Sequence, residues 1–190
     1  MEIILASTSP RRRELIKLFG VPFSVIPPND VDEDLSPISL TEDLKKVATK
    51  KAKSVLSKIT KIDEKVIIGA DTVVVLKGEI LLKPKDTYEA YRHLKRLSGV
   101  LHEVYTGVGI VTKNEEFSFV EITKVKFREL DDVTIHKYIA TGIPMDKAGA
   151  YGIQDYGALF VESIIGDFYN VMGLPIGRIW QELRDRGYEL

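Results

Sequence analysis

The run at 66–76, Val-Ile-Ile-Gly-Ala-Asp-Thr-Val-Val-Val-Leu, constrains this chain more than any other segment. Its density of β-branched residues reads as a strand, and Gly69 and Asp71 interrupt it before it could span a bilayer. Such a strand has to be covered by other elements. Residues 2–6 read as a first strand, 10–19 as a helix closed by Gly20, and 23–26 as a short extended piece. A polar loop at 27–37 follows, then a helix from Ser39 to about Ser57, whose S-x-x-E spacing to Glu42 reads as a capping box. After the central run come a turn at 77–79, a return strand at 80–82 and a helix capped by Asp86 and Glu89 that ends before Gly99. Two alternating strands, 102–111 and 116–127, flank the hairpin signal Lys113-Asn114-Glu115. A helix from about Asp132 stops before Gly142. The Gly-rich loop DKAGAYGIQ, a strand at 158–164 and an amphipathic helix at 176–186 complete the chain. A βαβ opening with a hairpin in the middle predicts an α/β fold, a mixed twisted sheet flanked by helices. We expect one domain, 1–190, of two lobes with a cleft between them.

The composition narrows the classes of function. With 44% hydrophobic and 29% charged residues the chain is that of a folded protein and not a disordered one. There is no cysteine, which removes disulfides, thiolate nucleophiles, Fe–S clusters and Cys-bound zinc together. Glu2, an apolar stretch and three arginines reverse the charge order of a secretory signal, so a cytoplasmic protein with no membrane segment is expected. The 27 Lys plus Arg against 28 Asp plus Glu argue against stable nucleic-acid binding across a broad face. Any anion site must be local.

One such site is suggested by Arg11, Arg12 and Arg13. If Ser9 caps the helix and Pro10 is its first residue, all three lie in the first turn, where cations oppose the helix dipole. Free backbone N–H groups and guanidinium forks suit phosphate oxygens. Helical spacing puts Arg11 on the face of Leu15 and Leu18, Arg12 on that of Ile16 and Phe19, and Arg13 in solvent. Three solvent-facing arginines on an amphipathic helix are the alternative. Asp71 poses a second question, because a carboxylate inside an apolar strand must be compensated by a metal ion, a cation or hydrogen bonds. It could ligate Mg²⁺ or accept a proton from water, or it could simply end the strand on nearby backbone amides. Lys51 falls on the apolar stripe of its helix, so its stem packs, and snorkelling to solvent accounts for it as well. Lys83 sits before Pro84 at a strand end.

Phosphate-loop, nucleophile-elbow and zinc-protease motifs are all missing. Gly107-Val-Gly109 lacks the third glycine of a dinucleotide fingerprint and reads as a strand bend. His93, His102 and His136 are scattered singly and read as structural.

The segments LASTSPRRREL, VDE, GADTVVVL, LLKPKD, LSG, HEVYTGV and DKAGAYGIQ, taken in order over nearly the whole chain, resemble the Maf family of nucleoside triphosphate pyrophosphatases. The resemblance implies a fold akin to inosine triphosphate pyrophosphatases and a cytoplasmic homodimer dependent on a divalent metal, Mg²⁺ or Mn²⁺. Its reaction would convert a nucleoside triphosphate to the monophosphate and pyrophosphate, and some members were first named as septum-formation inhibitors. It assigns Asp71 as proton acceptor and Glu33 to phosphate and metal handling, and we expect Asp71 with Glu33 to hold the metal or its bound water. Ser7, Arg12, Lys51 and Lys83 fall in the phosphate-handling set. Arg11, Thr72 and Gln154 match the subgroup preferring dTTP and UTP. A non-enzymatic regulator of division that binds a nucleotide or a partner protein, and an enzyme for a modified nucleotide, are the competing readings.

Overall fold

The computed structural model describes residues 1–189. Strand β1 (Glu2–Ala6) lies parallel to β2 (Phe23–Ile26) on one side and to the start of β3 (Lys65–Leu76) on the other. Ala6 stands opposite Ile26 and Gly69. Parallel neighbours require crossovers, and helices α1 (Pro10–Ile16) and α2 (Leu40–Lys53) lie in them. The α1 helix starts as its sequence dictates, with Ser9 accepting a hydrogen bond from Arg12 N and Pro10 at the first helical position. A further 3₁₀ turn, Lys17–Phe19, ends at Gly20, whose φ of 70° is left-handed.

The chain continues through β4 (Glu79–Leu81), α3 (Thr87–Leu97), β5 (Leu101–Val111), β6 (Glu116–Phe127), α4 (Asp132–Ala140), β7 (Val161–Ile165), α5 (Phe168–Met172) and α6 (Ile176–Asp185). Strand order is β2-β1-β3-β5-β6-β7, with β4 antiparallel on β3 and β7 antiparallel on β6. This is the mixed sheet with helices that the pattern of elements predicts.

Two compact units divide the chain. The first comprises Met1–Asp71, Thr106–Glu121 and the chain from Gly173 onward; the second comprises Thr72–Tyr105 and Ile122–Met172. In the first, Ile4, Ala6, Ala52, Val55, Ile67 and Val111 form a buried cluster. Here α2 packs backbone to backbone on the strands: a methyl group on Gly69 would meet Ala48 O at 2.3 Å, one on Gly107 would meet Leu44 O at 2.5 Å, and one on Gly109 would meet Thr49 N at 2.4 Å. Gly107 and Gly109 are thus contact points inside strand β5, where the backbone of α2 comes close. In the second unit, Phe127, Tyr138, Tyr151 and Phe160 pack edge to face among Leu94, Leu97, Val104 and Ile135.

Other expectations are corrected locally. The capping box at Ser39 does not form: its hydroxyl donates to Asp43 Oδ2 at 2.5 Å, a carboxylate that also accepts Ser36 N. The hydroxyl is oriented to donate to the carboxylate one turn on, and no backbone N–H of the first turn donates to its oxygen. The α2 helix stops at Lys53, with a separate 3₁₀ turn at Leu56–Lys58 before β3. The strand expected from 158 begins at Val161, because Asp155 accepts Gly157 N and caps a 3₁₀ turn over Tyr156–Phe160. The return strand is Glu79–Leu81, one residue earlier than expected. Asp86 and Asp131 cap their helices by accepting Glu89 N and Thr134 N.

His102 on β5 is structural, as expected, and carries a consequence for stability. Its Nε2 shares a 2.9 Å hydrogen bond with the Tyr151 hydroxyl, and its ring meets Phe127 edge-on at 4.9 Å. Burial pushes its pKa from 6.5 down to about 4, with the Val100 backbone acting weakly the other way. Between pH 6.5 and 4 the unfolded chain therefore binds a proton there that the folded chain refuses. The resulting stability is fully present above pH 6.5 and is lost as pH falls, by about 3 kcal/mol in all. Denaturant melts across that range should show the loss, and His102→Gln should flatten it; an unaltered profile in the variant would put the effect elsewhere.

Candidate active site

The first unit holds six of the residues singled out in the sequence, Ser7, Arg11, Arg12, Glu33, Lys51 and Asp71. The ammonium of Lys51 on α2 donates to Asp71 Oδ1 at 2.6 Å and to Glu33 Oε1 at 2.5 Å. Lys51 and Asp71 expose only 13% and 11% of their side chains, whereas Glu33 is half exposed in the loop before α2. The stem of Lys51 packs as helical spacing predicts. Its amine, however, does not snorkel to water but compensates the carboxylate inside β3. Of the acidic residues at 30–34, Glu33 is the one that reaches this ammonium.

Arg12 approaches the same strand from α1. Its Nε donates to Gly173 O at 2.7 Å and its Nη1 to Ala70 O at 2.8 Å, the carbonyl immediately before Asp71. Burial lowers the pKa of this guanidinium, Asp71 and Glu33 oppose the shift, and Arg11 adds to it. A guanidinium remains charged under any such shift. These bonds lock the plane of Arg12, in contrast to Arg13, which is exposed as expected. Arg11 is half-buried. Ser7, just past β1, is buried, and its Oγ accepts Ser9 N at 3.1 Å. Five elements hold these side chains: the β1–α1 turn, α1 with Arg11 and Arg12, the acidic loop, α2 and β3. That is the kind of arrangement in which a polar cluster is fixed by packing around it.

The remaining three predicted residues belong to the second unit. Thr72 follows Asp71 on β3 and is partly buried, and Lys83 is exposed just past β4. Gln154 is exposed in the Gly-rich loop. That loop is tied to the segment of Lys83 by Gly149 N donating to Leu82 O at 3.2 Å, and a methyl group on Gly149 would meet Val74 Cβ at 2.9 Å. Sequence reasoning missed the polar groups beneath the loop. Tyr138 accepts Gly152 N and donates to Asp155, which lies 3.7 Å from the buried Lys147.

The carboxylates of Asp71 and Glu33 already share one cation, the Lys51 ammonium. Among the described residues no three of His, Cys, Asp or Glu converge as a ready-made metal cage. Two carboxylate donors fit a hard divalent ion that completes its shell with water and phosphate oxygens, as Mg²⁺ commonly does. Among the described residues no helix is long and apolar enough to cross a membrane.

The chain is similar to known proteins along nearly its whole length. A Thermotoga petrophila protein named dTTP/UTP pyrophosphatase is 49% identical over 188 residues, covering 99% of this chain and 91% of that protein. A Carboxydothermus hydrogenoformans protein of the same name is 50% identical over 190 residues, covering 99% of this chain and 100% of the relative. Among solved structures, the Staphylococcus aureus Ham1 protein aligns with a TM-score of 0.47 at 15% identity, over 68% of this chain and 73% of that one. The family described as Maf-like protein matches residues 2–186, and this chain belongs to it.

Proposed function

We propose that the chain hydrolyses dTTP and UTP to the nucleoside monophosphate and pyrophosphate. The observation that carries this reading is the single ammonium of Lys51 held between Asp71 and Glu33, beside the locked guanidinium of Arg12. The names of relatives about half identical over nearly the whole chain support it.

The chemistry follows from charge. Water attacks the α-phosphorus, the α–β bridging P–O bond breaks, and pyrophosphate leaves with the electron pair. Asp71 accepts the proton of that water, since it is the carboxylate most enclosed in the cluster. Arg12, Lys51 and Lys83 are the cations for the charge that develops on phosphate oxygens, with Ser7 as a neutral donor. Glu33 and Asp71 would hold a divalent metal ion, Mg²⁺ or Mn²⁺, which when bound neutralises phosphate charge and polarises the reacting phosphoryl group.

Base choice is assigned to Gln154, with Thr72 and Arg11. Reading O4 and N3–H of a pyrimidine requires an acceptor and a donor together, which an amide or a hydroxyl provides and a carboxylate alone does not. The homodimer and the cytoplasmic setting belong to the same proposal and rest on the motif resemblance.

The test is a panel of nucleoside triphosphates with divalent metal added and withheld, scored for monophosphate against diphosphate. Monophosphate and pyrophosphate from dTTP and UTP, only with metal, is the expected result. Diphosphate product or metal-independent turnover would refute the mechanism, and no turnover of any nucleotide would favour the non-enzymatic regulator.

A further inference from the structure

We infer that Tyr138 and Asp155 are positioning residues for base selection, acting by clamping the turn that carries Gln154. The inference rests on the reading of Gln154 given above and goes beyond it, because neither residue belongs to the motif set that supports the reaction.

The geometry is a bridge across two residues. The hydroxyl of Tyr138 on α4 accepts Gly152 N at 3.1 Å and donates to Asp155 Oδ1 at 3.0 Å. It thus ties together the two residues on either side of Ile153 and Gln154. Ile153 is buried and anchors the pair, which leaves Gln154 as the exposed member. Asp155 Oδ1 also accepts Gly157 N at 2.9 Å, so the same carboxylate fixes the chain beyond the turn. Its other oxygen lies 3.7 Å from Lys147 Nζ, which donates to Ile143 O and Asp146 Oδ1. Burial pushes the Tyr138 phenol well above its ordinary pKa, so it stays a donor at alkaline as well as neutral pH.

The glycines are spaced for this clamp. A methyl group on Gly152 would sit 2.6 Å from Asp155 Oδ2 and 2.6 Å from Lys147 Cε. One on Gly157 would meet Gly152 O at 2.6 Å and the Tyr138 hydroxyl at 3.1 Å. Side chains at either position would push the turn off the phenol. A binding group held in place before the ligand arrives loses less freedom on binding, so discrimination by the Gln154 amide depends on this rigidity.

Tyr138→Phe removes both bonds while keeping the ring in its place against Phe160. In the full-length protein, kcat/KM for UTP should fall about tenfold, carried by KM, and the ratio of UTP to CTP turnover should shrink with it. Asp155→Ala should reproduce the loss. Asp155→Asn, whose amide oxygen still accepts from Tyr138 and Gly157, should restore most of it. A selectivity ratio unchanged in Tyr138→Phe and Asp155→Ala would overturn the inference. So would an equal drop in kcat for every nucleotide at constant KM, the signature of lost folded protein. A wild-type protein with no preference between UTP and CTP would instead overturn the base-selection reading itself.

Discussion

Asp71→Asn should lower kcat for UTP by about 10²- to 10⁴-fold while the protein keeps its fold. The substitution keeps the size of the side chain and leaves Oδ1 able to accept from Lys51, so the 2.6 Å contact survives as a neutral hydrogen bond. Lys51 retains Glu33 as its charged partner at 2.5 Å. What is lost is the ability to take a proton from water and one of the two negative charges available to a metal ion. Asp71→Ala is the less informative change, because it empties a site inside β3 and leaves an ammonium that is only 13% exposed with a single, half-exposed partner. Pyrophosphate release and a thermal melt of Asp71→Asn, measured together, decide the matter. Wild-type turnover in the variant would remove Asp71 from the chemistry, and an unfolded variant would make it a structural residue.

Much of this arrangement was legible in the sequence, and the limits were physical. Local rules worked where the deciding contacts are local. Ser9 and Pro10 start α1, Asp86 and Asp131 cap α3 and α4, and the apolar spacing of α1 separates the half-buried Arg12 from the exposed Arg13. They failed where a neighbour in space decided. The amine of Lys51 left the solvent because carboxylates 18 and 20 residues away offered it a better partner. No period along a helix carries that information. Even the burial of Asp71, which the apolar run makes plain, did not say whether backbone amides or a cation would compensate it. The Tyr138 hydroxyl left no sequence signal at all, since a Tyr in an amphipathic helix reads as a core residue.

The glycines of the first unit bring fold and chemistry together. Lys51 reaches Asp71 only because α2 lies against the strands with no side chain between them at Gly69. Gly69→Ala should therefore damage both. Its methyl group would stand 2.3 Å from Ala48 O and 2.6 Å from Ala52 N, and backbone atoms of a helix cannot rotate aside as a side chain can. Either α2 moves away or β3 is displaced, and overpacking of this kind costs about 1–3 kcal/mol or more. For a chain of this length that corresponds to a Tm lower by roughly 3–10 °C. Ala48 and Ala52 bracket Lys51 on the helix, so the shift that relieves the clash carries the ammonium away from Asp71. Activity per folded molecule should fall too, which simple destabilisation would not cause. Gly177→Ala is the matched control, because Gly177 lies exposed on α6 with nothing within 4 Å of the added methyl group, and replacing a helical glycine there should be neutral or slightly stabilising. If Gly69→Ala melts and turns over like Gly177→Ala, then α2 stands off the strand, and the close approach that delivers Lys51 to Asp71 is not what holds the site together.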